Sequence, residues 1–193
     1  NIMMQIATNE ALHANAPKFN KKEFEEAVDY ALTLTESHTD FYDKLKAAFF
    51  NAGVIFVILP NISGSKINGA TKKVGDNIVL MVNDRRLYAD TFWFTLFHEI
   101  GHILSGDYGV SFDMEMGENE KLADEYARDR LIPSEQYDEF ISRQIFSPQS
   151  IKDFSASIHR DPGIVLGRLQ KDGKVRYNDA KMNVLKTLYK LRS

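Results

Sequence analysis

The sequence contains no cysteine. That single absence removes disulfides, thiolate metal ligands and cysteine nucleophiles together. No stretch approaches the roughly 18 consecutive apolar residues of a membrane-spanning helix. The first residues show no basic segment followed by an apolar run, so no secretory signal is read there. Charge of one sign is missing too: 24 Lys and Arg against 27 Asp and Glu leave a net charge of -3. That balance gives no overall argument for nucleic acid or an anionic membrane. Repeats and low-complexity tracts are also absent. What is present is a chain of 193 residues, 44% hydrophobic and 26% charged, which is enough to bury a core as one domain, or one domain with a small appendage. The chain opens on Asn1 rather than Met, and the expectation is a cytoplasmic protein, without a membrane partner, trimmed of an N-terminal piece.

Hydrophobic periodicity divides the chain. Residues 1–19 are weakly patterned and read as a linker or frayed end. Asn20 caps a helix from Lys21 that carries Phe24, Ala27, Ala31 and Leu32 on one face, and Thr39 caps a second one ending at Asn51-Ala52-Gly53. Val54 to Leu59, Ile67 to Lys72 and Asn77 to Val82 read as strands. Asp90 to Ser105 is apolar nearly all round, with Gly106 to end it, and is expected to be a central buried helix. Further helices are expected over Glu118 to Leu131, after Pro133-Ser134, over 148–158, over 162–171 and from about 178 to 191. The fold class is α+β, a small sheet flanked by helices, with one domain over 20–145 and a helical C-terminal subdomain over 146–193. Charge is uneven, with 11 acids and 3 bases over 107–139 and 8 bases and 2 acids over 168–192. Solvated helix faces and a soluble tail account for this; docking to an acidic partner or to nucleic acid is the sharper alternative.

One constellation carries chemistry. His98-Glu99-Ile100-Gly101-His102 is an HExxH run. Spacing i, i+4 stacks two imidazoles one helical turn apart, where both can hold one metal ion, and Glu99 beside them can take a proton from a bound water. With this composition, chance gives about 0.008 such matches. A buried His pair can also satisfy backbone carbonyls. However, two imidazoles and a carboxylate among Phe, Trp, Leu and Ile are costly unless paired or metal-bound. A tetrahedral catalytic zinc needs a third protein ligand and leaves the fourth position to water. Among Glu118, Glu120, Asp124 and Glu125, the face Glu120-Ala123-Asp124-Ala127 stands at i, i+3, i+4, i+7, with alanines that permit close helix approach. Glu120 is therefore read as the third ligand. Asp124 is read as the acceptor of an imidazole N–H that fixes its tautomer, against the alternative of a surface pair with Arg128. Two histidines and a carboxylate also accept manganese or iron.

This run, preceded by Phe94-Thr95-Leu96-Phe97 and followed by Glu120-x-x-Ala123-Asp124-x-Tyr126-Ala127 and Leu131-Ile132-Pro133, resembles the ImmA/IrrE family of metallopeptidases. It also resembles the peptidase-like C-terminal region of long HigA-type antitoxin regulators, a likeness that Asp90 to Phe97 and Asp161-Pro162-Gly163-Ile164-Val165-Leu166-Gly167-Arg168-Leu169-Gln170 carry further. The resemblance implies a minimal zincin-like core with one zinc ion on His98, His102 and Glu120, and Glu99 as catalytic base. It implies a zinc endopeptidase that cuts a helix-turn-helix repressor. The HigA-like subgroup implies instead a non-catalytic sensing or dimerisation domain, a possible homodimer, with DNA reached only through an absent N-terminal domain. Tyr88, Tyr126, Arg143 and His159 are candidates for steadying the oxyanion. Strand Asn77 to Val82 is expected, by fold-level analogy, to pair with extended substrate. Residues 148–171 also have the outline of a helix-turn-helix, although a small helical pair packed on the core is the preferred reading because base-reading side chains are few beyond Arg168, Gln170 and Lys171.

Overall fold

The computed structural model describes residues 5–9, 13–60, 67–84, 87–112 and 117–189. The chain is mixed α+β. In order, it runs α1 (Lys21–Thr33), α2 (Phe41–Asn51), β1 (Val54–Leu59), β2 (Ile67–Val74), β3 (Asn77–Asn83), α3 (Ala89–Ser105), β4 (Val110–Phe112), α4 (Glu118–Leu131), α5 (Ser134–Ser142), α6 (Pro148–Ser157) and α7 (Pro162–Lys171). A 3-10 helix over Ala180–Leu185 follows. Residues 5–9, inside the segment read as a linker, are helical.

The sheet order is β1-β3-β2-β4. β1 runs parallel to β3, and β2 runs antiparallel to both β3 and β4. Side chains alternate across it. Val54, Phe56, Ile78, Leu80 and Val82 face the main core with the helices, while Ile55, Val57, Leu59, Val79 and Met81 form a second cluster on the other face. Ala7 is buried in that second cluster, and Ala14 and Ala16 pack against it. Main and second clusters are therefore set by the period-2 geometry of the strands.

α3 lies at the centre, with Phe92, Trp93, Leu96, Phe97, Ile100 and Ile103 all buried. Its end is fixed by Gly106, whose φ of 75° is the left-handed cap a glycine tolerates. α7 crosses the start of α3 closely. A Cβ added at Gly167 would lie 2.5 Å from the Asp90 Cβ, so a side chain there has no room. The main core also takes in Ile151, Ile164, Val165, Leu169 and Leu185, so the C-terminal helices share it with the rest of the chain.

Three local expectations are corrected. α2 is capped at Asp40, not Thr39, and without a side-chain cap bond; the Asp40 carboxylate accepts from the Ser37 hydroxyl instead. A short strand, β4, stands where a loop was expected. The final helix expected over 178–191 is replaced by the 3-10 helix and an extended return. The Ala89 N–H donates to the Thr187 carbonyl (2.9 Å), the Tyr189 N–H to the Leu87 carbonyl (2.8 Å), and the Trp93 Nε1–H to the Tyr189 hydroxyl (2.7 Å). Burying Tyr189 among Phe41, Phe92 and Trp93 outweighs the local helical pattern, because propensity is weaker than core packing.

Candidate metal centre

Two helices build the site. α3 presents His98 and His102 one turn apart, with ring centroids 4.8 Å from each other. α4 packs against this face through small residues. A Cβ at Gly101 would lie 3.2 Å from the Ala123 Cα, and Ala123 and Ala127 are buried at the contact. This close approach brings Glu120 to the imidazoles. His98 Nε2 stands 3.1 Å from His102 Nε2 and 3.0 Å from Glu120 Oε2, and His102 Nε2 stands 3.2 Å from Glu120 Oε1. Ligand atoms about 2.0–2.1 Å from one tetrahedral ion are separated by about 3.3 Å. The two imidazole nitrogens are at such a separation and each is within 3.2 Å of a Glu120 oxygen, so His98, His102 and Glu120, each offering one ligand atom within 4.8 Å of the others, form a group that could hold a metal ion.

The outer ring nitrogens decide what the inner ones do. His98 Nδ1 is 2.8 Å from Asp124 Oδ1, and His102 Nδ1 is 3.2 Å from Asp107 Oδ2. An ionised carboxylate only accepts, so each Nδ1 carries the proton and donates it. In the neutral imidazoles both Nε2 lone pairs then converge, together with a carboxylate, on one point. Such a convergence is repulsive unless a cation or a shared proton sits there. The fit to a metal rests on this donor set.

The electrostatics agree. Burial pulls the His98 pKa down, but the Asp124 hydrogen bond and the charges of Glu99, Asp124 and Glu120 outweigh it and hold the ring above its ordinary value. The Asp124 carboxyl is pushed up by burial, yet His98, Lys171 and Arg128 bring it below the usual range. The surroundings favour positive charge at this point. Glu99 is fully buried, on the side of α3 that meets β2.

The structure thus brings together His98, His102 and Glu120, and places Asp124 on the His98 imidazole. Two residues escaped sequence reasoning. Asp107 follows the Gly106 cap and reaches back five residues to His102; an acid just past a helix-ending glycine was the one available signal. Gly69, on β2, lies against Glu99 and left no local signal at all. Of the oxyanion candidates, Arg143 pairs with Glu139 (2.5 Å), and the His159 carbonyl accepts from the Arg160 side chain in the turn between α6 and α7. The Tyr126 ring packs at Gly101, and Tyr88 bridges to Leu188. The helix-turn-helix outline is a packed pair: six of ten α7 residues, Gly163 to Leu166, Leu169 and Gln170, are buried, so this helix has little face left to lay in a groove.

A groove of about 650 Å³ is lined by Phe94, Thr95, Asp124, Ile164 and Tyr177, among residues of α3, α4 and α7. Among the described residues no helix is long and apolar enough to cross a membrane. No family model matches the chain, and neither the curated proteins nor the solved structures contain a match to it.

Proposed function

We propose that the chain is a zinc-dependent endopeptidase of ImmA/IrrE type with a zincin-like core, cutting a helix-turn-helix repressor-type protein. The observation that carries the reading is the convergence of His98 Nε2, His102 Nε2 and Glu120 at 3.0–3.2 Å, directly beside a buried glutamate at the second position of HExxH. When bound there, zinc supplies Lewis acidity, acidifying a coordinated water and polarising a scissile carbonyl. Asp124 and Asp107 hold the two imidazoles in the tautomer that offers Nε2. Glu99 takes a proton from the attacking water and returns it to the leaving amine. Thr95, Phe94 and Asp124 border the groove that accepts the substrate chain on one side of the cluster. The two histidines and carboxylate would accept manganese or iron as well, and a cytoplasmic setting is part of the same reading.

Complete burial of Glu99 favours a second reading, a non-catalytic sensing or dimerisation domain of a HigA-like regulator that keeps the ion for structure or signalling. Glu99→Gln separates the two. On the peptidase reading both proteins bind about one zinc per chain, while cleavage of a peptide pool tiling helix-turn-helix repressors, read by mass spectrometry, falls by at least about 10²-fold in the variant. Wild-type protein that binds zinc and cuts nothing supports the sensing reading instead.

A further inference from the structure

β2 passes beneath α3, and its Gly69 is buried. A Cβ built on Gly69 would lie 2.6 Å from Glu99 Cγ and 2.7 Å from Glu99 Cδ, and would overlap Oε1 outright. All three of its nearest neighbours belong to that one side chain. The backbone does not ask for glycine: the positive-φ glycines are Gly53, Gly75, Gly106 and Gly173, and Gly69 is not among them. Only the missing methyl distinguishes this position. The strand is also irregular here. Ile67 pairs with Phe112 and Gly69 with Ser111, so Asn68 is an extra residue in the β2–β4 ladder. A bulge of this kind bends a strand and re-aims what lies beside it. Here the bare backbone of residue 69 lies against the Glu99 carboxyl group, and Asn68 lines the groove that Asp124 also lines.

We propose that Gly69 is the positioning residue for Glu99: its empty Cβ site is the seat of the Glu99 carboxyl, and this fixes the carboxyl relative to His98, His102 and Glu120. The inference rests on reading Glu99 as the proton-transferring base, but its physical content, a strand glycine reserved for one carboxylate, can be tested without turnover. A methyl at residue 69 occupies space the carboxyl now fills. Glu99 is enclosed, so it has no open side to retreat to without moving its neighbours. A displacement near 1 Å of a proton-transferring group costs about 10²-fold in rate.

The experiment is a double-mutant cycle on the full chain with Gly69→Ala and Glu99→Ala, read first by thermal unfolding of the metal-free protein. In the wild-type background Gly69→Ala lowers the midpoint by about 3–8 °C, the cost of overpacking a buried site in a domain of this size. In the Glu99→Ala background the same methyl enters the space vacated, and the midpoint is unchanged or rises. The second measurement is zinc binding by calorimetry: Gly69→Ala binds one ion within about twofold of wild type, because the ligand atoms are untouched. The third is turnover of the repressor peptide pool, where kcat falls by about 10²-fold with KM unchanged. Equal losses of midpoint in both backgrounds overturn the proposal. So does a Gly69→Ala protein that no longer binds zinc, or one that turns over at the wild-type rate. If the wild type cuts nothing, the peptidase reading fails on its own, and the thermal cycle alone decides whether Gly69 seats the carboxyl.

Discussion

His98 and His102 are alike in sequence but rest on different supports. Asp124 comes from a neighbouring helix, whereas Asp107 follows the same helix's own cap. Both carboxylates fix a tautomer, and neither belongs to the His98-His102-Glu120 group. Removing one leaves His98, His102 and Glu120 in place but frees an imidazole to rotate and to move its proton. Asp124→Asn and Asp107→Asn are each expected to weaken zinc binding by about 10–100-fold, measured by competition with a chromogenic chelator. Glu120→Gln removes a charged ligand and is expected to weaken binding more than either. Asp107 is the sharper test, because no motif includes it.

At the scale of elements, the site depends on how closely α4 can lie against α3. Gly101 and Ala123 set that spacing, with 3.2 Å between a Cβ at residue 101 and the Ala123 Cα. Gly101→Ala needs α4 to give by a few tenths of an ångström, which carries Glu120 away from both imidazoles. The expected outcome is weaker zinc binding with little loss of stability. Gly167→Ala makes the contrasting case. Its methyl meets the Asp90 Cβ at 2.5 Å, at the far end of α3 from the ligands. It is expected to destabilise the fold by about 1–3 kcal/mol, measured by urea unfolding, and to leave zinc affinity unchanged. One helix pair is therefore expected to tune the candidate metal site and another to tune stability.

For the molecule as a whole, an ion bound at the His98-His102-Glu120 group would be linked to folding. An ion that meets three side chains from two helices binds the folded state, so zinc at about 100 times its dissociation constant adds about 2.7 kcal/mol, or about 5–10 °C in a domain of this size. A chelator is expected to reverse the shift, and His98→Ala to abolish it, both read by thermal unfolding. Acid acts at a second place. Burial raises the Asp172 pKa, but hydrogen bonds from Arg168 (2.6 Å) and Tyr137 (2.8 Å) hold it below its ordinary 3.8. A depressed carboxyl stabilises the folded state above its unfolded pKa, and that contribution is lost as pH falls through the folded value. Tying α5 to the end of α7 should therefore weaken below about pH 4. The midpoint of Asp172→Asn, lower at neutral pH, is expected to fall less than that of the wild type between pH 5 and pH 3.

The sequence by itself determined whatever is local and periodic. The helical faces of α1, α3 and α4, the strand runs Val54 to Leu59 and Asn77 to Val82, the Asn20 cap, the Gly106 stop and the HExxH pair all follow from spacing along one segment. The carboxylates of α4 were legible because alanines shared their face, which bore on packing as well as chemistry. Tertiary structure decided what depends on two distant segments meeting. It turned residues 186–189 from an expected helix into an extended return, because Tyr189 gains a place among buried rings. It built β4 from three residues, too few to leave a pattern, by pairing them with β2. It set Gly69 under Glu99, a contact that no spacing rule encodes, whereas Asp107 reaches His102 locally, through the Gly106 cap. Periodicity records which face a segment buries; the partner it is buried against is fixed only when the segments pack, and the finer geometry of the metal centre is made of such partnerships.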